Sequence, residues 1–313
     1  MKIFIPVLIC LVVFSCTEKK KVKNDLAIWG LKGNVKSITT YTYSVVGKNG
    51  NIEKDSLKAI DSTIFNRMGF LLEVRDRRHD TLFPRWIRKY DEHDNLIEKD
   101  NYSGAKLVMQ ELNRYDDKNN MIEQTIFEHE WKAPSDSIVK SDIHFTYKDS
   151  ADCQIVESIA DRKGKPWYSQ KRVLNSNRDV ISERIFYPWD TDKKYNIQIG
   201  IYKYDALGNM LEKDCFDANN TLDFRFVHKY DGKGNEVEDL ARRKDDSIQY
   251  RDVKTYDDSG NITGYTYYKH DGSINSEWHC KYQKFDATGN WVKQVSYKNG
   301  TPETITRRTV EYY

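Results

Sequence analysis

The chain predicts an all-β fold in which tandem antiparallel β-hairpins form one long curled meander or a superhelical β-solenoid sheet, and three observations predict it. The segment KYDALGNMLEKD (203–214) recurs in near-copies: KYDEHDNLIEKD from Lys89, RYDDKNNMIEQT from Arg114 and KYDGKGNEVEDL from Lys229. The copies start at nearly constant spacing, which is the mark of a repeat architecture. Aromatic residues are abundant, with 21 Tyr and 12 Phe against 5 Met and 16 Gly in 313 residues, and such side chains suit the pleated surface of a sheet.

Six segments share the pattern aromatic, Asp, two variable residues, Gly, Asp or Asn, then Asn. They begin at Tyr90, Tyr115, Tyr204, Tyr230, Tyr256 and Phe285. A weaker copy starts at Phe65 and degenerate ones near Tyr147 and Leu174, which makes about nine repeats. The fifth position holds Asp94, Asn119, Gly208, Gly234, Gly260 and Gly289. These are the residue types that tolerate positive φ. The second holds Asp91, Asp116, Asp205, Asp231, Asp257 and Asp286, whose carboxylates can bond backbone amides two residues on. Together they predict a type I turn closed by a left-handed residue, a common link between antiparallel strands.

Flanking charges predict how the strands pair. Lys89 with Glu98, Arg114 with Glu123, Lys203 with Glu212 and Lys229 with Glu238 should lie opposite one another across their turns. Thr255 with Gly264 lacks both charges, and Lys284 with Lys293 breaks the rule. A second set of turns (102–106, 216–221, 243–247, 269–273 and 298–302) divides each repeat into two strands. With opening and closing segments at 33–46 and 304–313, the total is on the order of twenty strands, and a sheet that large curls or splits. Charged residues interrupt nearly every strand, so the uncharged lipid-facing band of an outer-membrane barrel is not expected.

The first residues, MKIFIPVLICLVVFSC, carry one cation and then an apolar run too short to span a bilayer. They predict a signal peptide over 1–15. The end of that run, Val13-Phe14-Ser15-Cys16, resembles the bacterial lipoprotein cleavage box. The resemblance implies that Cys16 is lipidated and becomes the first mature residue. Residues 16–27 are then a lipidated cysteine and a polar Lys-rich tether, and 28–313 a single repeat domain.

The turn motifs YDEHDN, YDDKNN, YDALGN, YDGKGN, YDDSGN and FDATGN resemble the YD repeats of RHS-type proteins over about residues 60–313. With the cleavage box, the entry WGLKGNVKSITTYTY and the ending GNWVKQVSYKNGTPETITRRTVEYY, the chain is similar to repeat lipoproteins of Bacteroidetes. In large RHS proteins such repeats are implied to form a hollow β shell around a C-terminal cargo. This sequence is expected to depart from that plan, since it runs to residue 313 inside its repeats without a cargo segment.

Candidate chemistry is sparse. The formal charge of +2 provides no basic footprint for nucleic acid. No nucleophile elbow, zinc-protease motif, phosphate loop, dinucleotide fingerprint or EF-hand occurs. The sequence therefore predicts no catalytic residue, no cofactor and no metal, and assigns the repeated acids to structural duty. His129, between carboxylates in FEHEW, reads as a surface residue. Cys153, Cys215 and Cys280 remain once Cys10 leaves and Cys16 takes lipid; an exported chain could pair two of them.

Two repeats are longer than the rest, at EHEWKAPSDS (128–137) and FYPWDTDKKY (186–195). Long loops on a rigid scaffold are where binding is housed, so Trp131, Tyr187 and Trp189 are the candidate binding residues. The expected protein is a monomeric, non-catalytic lipoprotein, anchored at Cys16 to the outer membrane and facing the periplasm, whose β scaffold binds an envelope protein or glycan. Its rivals are an enzyme acting on envelope polysaccharide and a toxin-protection protein related to RHS systems.

Overall fold

The structure, a computed structural model, describes residues 24–48, 51–78, 81–129, 138–150, 152–190 and 196–313. A single-turn helix, α1 (Asp25–Ile28), precedes twenty strands. The first ten are β1 (Val35–Lys48), β2 (Asn51–Phe65), β3 (Leu71–Arg78), β4 (Thr81–Tyr90), β5 (Leu96–Ser103), β6 (Lys106–Tyr115), β7 (Met121–His129), β8 (Ile138–Asp149), β9 (Cys153–Arg162) and β10 (Lys165–Asn175). The second ten are β11 (Val180–Phe186), β12 (Ile197–Tyr204), β13 (Met210–Phe216), β14 (Leu222–Tyr230), β15 (Glu236–Arg243), β16 (Ile248–Tyr256), β17 (Ile262–Tyr268), β18 (Ile274–Phe285), β19 (Trp291–Lys298) and β20 (Thr301–Tyr312).

Every strand pairs antiparallel with its chain neighbours, and β1 also pairs with β20, from Val35↔Tyr312 to Ser44↔Thr304. The sheet is therefore a closed up-and-down barrel, which corrects the expectation of an open curled meander or superhelical solenoid. The hairpin order is as expected; what differs is the fate of the ends. An open sheet would leave one free edge on β1 and another on β20, and closure lets each edge satisfy the other's N–H and C=O groups.

The turns explain the repeated motif atom by atom. φ is positive at Asp94 (63°), Asn119 (61°), Gly208 (80°), Gly234 (84°), Gly260 (83°) and Gly289 (90°). Asp116 Oδ1 accepts from the backbone N–H of Lys118 and Asn120, while the Asn120 side-chain amide donates to Asp116 Oδ2. Asp91, Asp205, Asp231 and Asp257 repeat this set with Asn95, Asn209, Asn235 and Asn261. In the degenerate repeat the pair is exchanged: Asn175 takes the Asp place, Asp179 the Asn place, and Arg178 turns left at φ 66°. The amides hold the carboxylates of Asp116, Asp205 and Asp231 below the usual range. For Asp116 and Asp205 the leading cause is the backbone N–H of Asn120 and Asn209; for Asp231 it is the Asn235 side chain.

The aromatic position needs a hydroxyl as well as a ring. Tyr115 donates to the Leu96 carbonyl at 3.0 Å, Tyr230 to Met210 at 3.0 Å and Tyr256 to Glu236 at 2.8 Å. Tyr90, Tyr147 and Tyr204 make the same bond to Leu71, Met121 and Val180. Each accepting carbonyl belongs to the residue just after the preceding turn, so the hydroxyls lace successive repeats together. Phe285 has no hydroxyl. A register shift between Tyr282 and Lys284 brings Tyr282 into the role, and it donates to Ile262 at 2.8 Å. Replacing Tyr256 with Phe should cost about 1 kcal/mol, the net worth of one hydrogen bond, read as a lower urea midpoint at unchanged slope. No change in midpoint would show that the lacing is ornamental.

Cross-strand partners keep the two faces of the sheet distinct around the whole ring. One, the tyrosine face, carries Lys99, Glu111, Arg162, Glu183, Lys213, His228, Asp239, Asp252 and Lys254 besides the tyrosines. The opposite face carries the predicted ion pairs, Lys89–Glu98 at 2.8 Å, Arg114–Glu123 at 2.7 Å, Lys203–Glu212 at 2.5 Å and Lys229–Glu238 at 2.6 Å. Among the described residues, neither face has an uncharged band of the kind that lipid requires. At the exception, a Cβ on Gly264 would stand 2.6 Å from Thr255 Oγ1, so a side chain there would displace Thr255.

The main apolar core lies where the ring closes. Leu26, Val35, Ile38, Phe65, Leu71 and Val74 form one buried cluster, with Trp86 and Val310 against it. The leading segment clamps this seam. Asn24 caps α1 by accepting from Ala27 N–H, and Leu26 N–H donates to the Gly69 carbonyl. Asp25 Oδ2 accepts from Leu71 N–H at 2.8 Å. Farther on, Lys32 N–H donates to Asn290 Oδ1 while Asn290 Nδ2 donates to the Lys32 carbonyl. The β2–β3 turn and the β18–β19 turn are thus tied across β1 and β20. Residues 24–27, expected in the tether, belong to the folded domain, and Leu26 is only 6% exposed. Cys153, Cys215 and Cys280 are free thiols, so the option of a disulfide among them is not taken.

Candidate binding surface

Of the three candidate binding residues, Trp131 lies outside the described residues, and Tyr187 and Trp189 stand together in the β11–β12 connection. Tyr187 N–H donates to the Asn196 carbonyl at 2.8 Å and its own carbonyl accepts from Asp190 N–H, which fixes the start of the loop. The two rings meet edge to face, 5.6 Å apart at 61°, and Trp189 is 58% exposed. This loop leaves the barrel at the end opposite the motif turns, the end that the β9–β10 turn also occupies.

That neighbouring turn extends the surface. Tyr168 lies 6.4 Å from Tyr187, Trp167 5.6 Å from Tyr168, and the Arg162 guanidinium 4.7 Å over the Trp167 ring. Arg162 is itself held by Glu128 Oε2 at 2.6 Å. Four rings and a cation form one continuous run across two adjacent connections. Burial pushes the hydroxyls of Tyr168 and Tyr187 above the ordinary tyrosine value, so both remain neutral donors at physiological pH. The sequence reading missed Trp167 and Tyr168; their signal was the aromatic pair in KPWYSQK directly after the tight turn at Lys163 and Gly164.

A second concentration of chemistry lies on the tyrosine face of β14–β17. Asp239 and Asp252 are direct cross-strand partners, and His228 is opposite Asp239. His228 Nδ1 lies 2.7 Å from Glu236 Oε1 and 3.5 Å from Asp239 Oδ1, and Lys254 pairs with Glu236. The Tyr250 hydroxyl bonds Asp239 at 3.2 Å, and Tyr265 donates to Asp252 Oδ2 at 2.6 Å. Burial, followed among the raising influences by the Glu236 charge, lifts the Asp239 carboxyl above its usual range. These acids are off the turn register, as catalytic carboxylates would be. Both nevertheless take a tyrosine hydroxyl, and Asp252 is only 5% exposed, which leaves little access for a substrate oxygen. Among the described residues no group of three or more His, Cys, Asp or Glu is arranged to hold a metal ion.

No family model matches the chain, and no curated protein does. Among solved structures, it is similar to a porin-like protein from Bacteroides uniformis at 8% identity, with 90% of this chain and 99% of that one covered and a TM-score of 0.35. A porin-like protein from Bacteroides vulgatus matches at 12% identity, covering 89% and 98%, with a TM-score of 0.28.

Proposed function

We propose that the protein is a non-catalytic cell-envelope lipoprotein of the YD-repeat kind, tethered through Cys16 at the periplasmic side of the outer membrane, whose barrel presents an aromatic platform to an envelope glycan. The observation that carries this reading is the run Arg162, Trp167, Tyr168, Tyr187 and Trp189. A sugar ring offers a face of C–H bonds to the electron-rich face of an aromatic ring, and neutral tyrosine hydroxyls and a guanidinium satisfy its oxygens. Rings already packed against one another lose little freedom on binding. Charged rows on both faces of the barrel support a position in water beside the bilayer rather than within it. The turn acids support the absence of catalysis, because each is committed to backbone amides.

The test is retention by affinity electrophoresis in gels containing envelope polysaccharide. Replacing Tyr187 and Trp189 together with Ala should weaken retention at least about tenfold, since each removes a packed ring of hot-spot type. In the same cells, Cys16→Ala should move the protein from the membrane to the soluble fraction. Equal retention of both proteins would end the glycan reading, and an unmoved Cys16 variant would end the anchor.

A further inference from the structure

At the other end of the barrel, α1 and the residues after it stand over the tyrosine face of β16–β20 and form with it an open cavity of about 790 Å³. Trp29, Tyr282 and Trp291 provide aromatic walls, Asn235 and Gln294 provide amides, and Arg308 reaches in from β20. The volume falls within the range of small-molecule sites.

Arg308 is the unusual member. Its guanidinium carbon lies 3.4 Å from the centre of the Trp291 ring, stacked on its face, and its Nε is buried without a hydrogen-bond partner. Its cross-strand partners are uncharged, with Thr40 directly opposite on β1 and Gln294 next to it on β19 through Thr306. Among the described residues no carboxylate lies within ion-pair distance of it, in contrast to Arg225 and Arg251, which hold Asp214 and Glu238 at 2.6 Å. Burial pulls the guanidinium down to about 10, partly offset by Tyr282, so at neutral pH it is still charged. A cation taken out of water without a counter-ion is costly, and stacking on one ring offsets only part of that cost. Such a group is stable in place when something brings the missing anion.

We propose that this cavity binds a small anionic ring compound of the acidic-sugar class, with its carboxylate on Arg308, its ring stacked against Trp29 and Tyr282, and its hydroxyls on Asn235 and Gln294. A guanidinium presents paired N–H donors that match a carboxylate in bidentate fashion, and the amides are the donor–acceptor groups that hydroxyls need. This site is separate from the aromatic platform and stands or falls independently of it.

Cys280 also lines the cavity, and Cys153 and Cys215 lie elsewhere on the sheet, so the protein carries its own reporter and its own controls. The experiment measures the rate of iodoacetamide modification at each thiol by mass spectrometry, with glucuronate or with glucose as the probe. Glucuronate should protect Cys280 and leave Cys153 and Cys215 unchanged, with an apparent affinity roughly tenfold or more above that of glucose. Arg308→Gln should erase the difference between the two sugars while folding at least as stably as the parent, because it removes a buried unpaired charge. Arg308→Lys, which keeps the charge and loses the planar fork, should retain part of the preference. Equal protection by glucose and glucuronate, protection by neither, or a preference that survives Arg308→Gln would each overturn the proposal.

Discussion

Deleting the last strand, Thr301–Tyr312, should abolish the cooperative fold and leave an aggregating chain. The strand fills the gap between β19 and β1, with six register pairs on one side and nine on the other. Its removal would uncover Val295, which is 1% exposed and pairs with Ile305, and strip Val310 from the buried cluster at the seam. It would also create two long unprotected edges at once, a template for intermolecular pairing. The lost bonds and burial together exceed the roughly 5–15 kcal/mol by which a folded domain is stable. Size-exclusion chromatography and urea denaturation check this: a truncated chain that remained monomeric, with a cooperative transition near the full-length midpoint, would mean that closure contributes little.

The largest single-residue effect should come from Phe65→Ala, at about 3–5 kcal/mol. Phe65 is fully buried where α1 crosses the seam, with Trp29 edge-on at 5.6 Å and 89°. Truncation leaves a cavity among Leu26, Leu71 and Val35 and frees α1 from the sheet that holds it. Breaking an exposed pair such as Lys89–Glu98 should cost far less, because water screens it. Urea denaturation at constant slope gives the comparison. A Phe65→Ala protein within 1 kcal/mol of the parent would show that the clamp does not stabilise the seam.

Much of this architecture was legible in the repeats. Asp94 and Asn119 alternate with glycines at one slot because that slot needs positive φ, and a local backbone demand leaves a local sequence signature. The charged couples were legible for the same reason, since this turn places the residue before its aromatic opposite the one nine positions on. Closure was not. Ser37 donates to Glu311 across 274 residues, and nothing in either strand's own sequence distinguishes a seam from a free edge. The motif's final Asn and its Tyr hydroxyl were visible as letters, but their work, on the turn carboxylate and on the previous repeat's carbonyl, required coordinates. α1 escaped because four residues are too short for helical periodicity. The candidate surface was half legible: the long loop marked Tyr187 and Trp189, whereas Trp167 and Tyr168 reach them from a turn of ordinary length. Arg308 looked like any other strand cation; its burial against Trp291, with no carboxylate within ion-pair distance among the described residues, sets it apart only in the folded structure.

The most direct test of the closed ring is a disulfide across its seam. Thr39 and Thr309 are cross-strand partners on β1 and β20, which puts their Cα atoms near the separation a disulfide needs, about 4.4–6.8 Å. With the native cysteines replaced by Ser, a chain carrying Thr39→Cys and Thr309→Cys should oxidise almost completely to an intramolecular disulfide and retain its monomeric size. Free thiols after oxidation, or cross-linked dimers in place of closed monomers, would contradict a barrel in which the first strand pairs with the last.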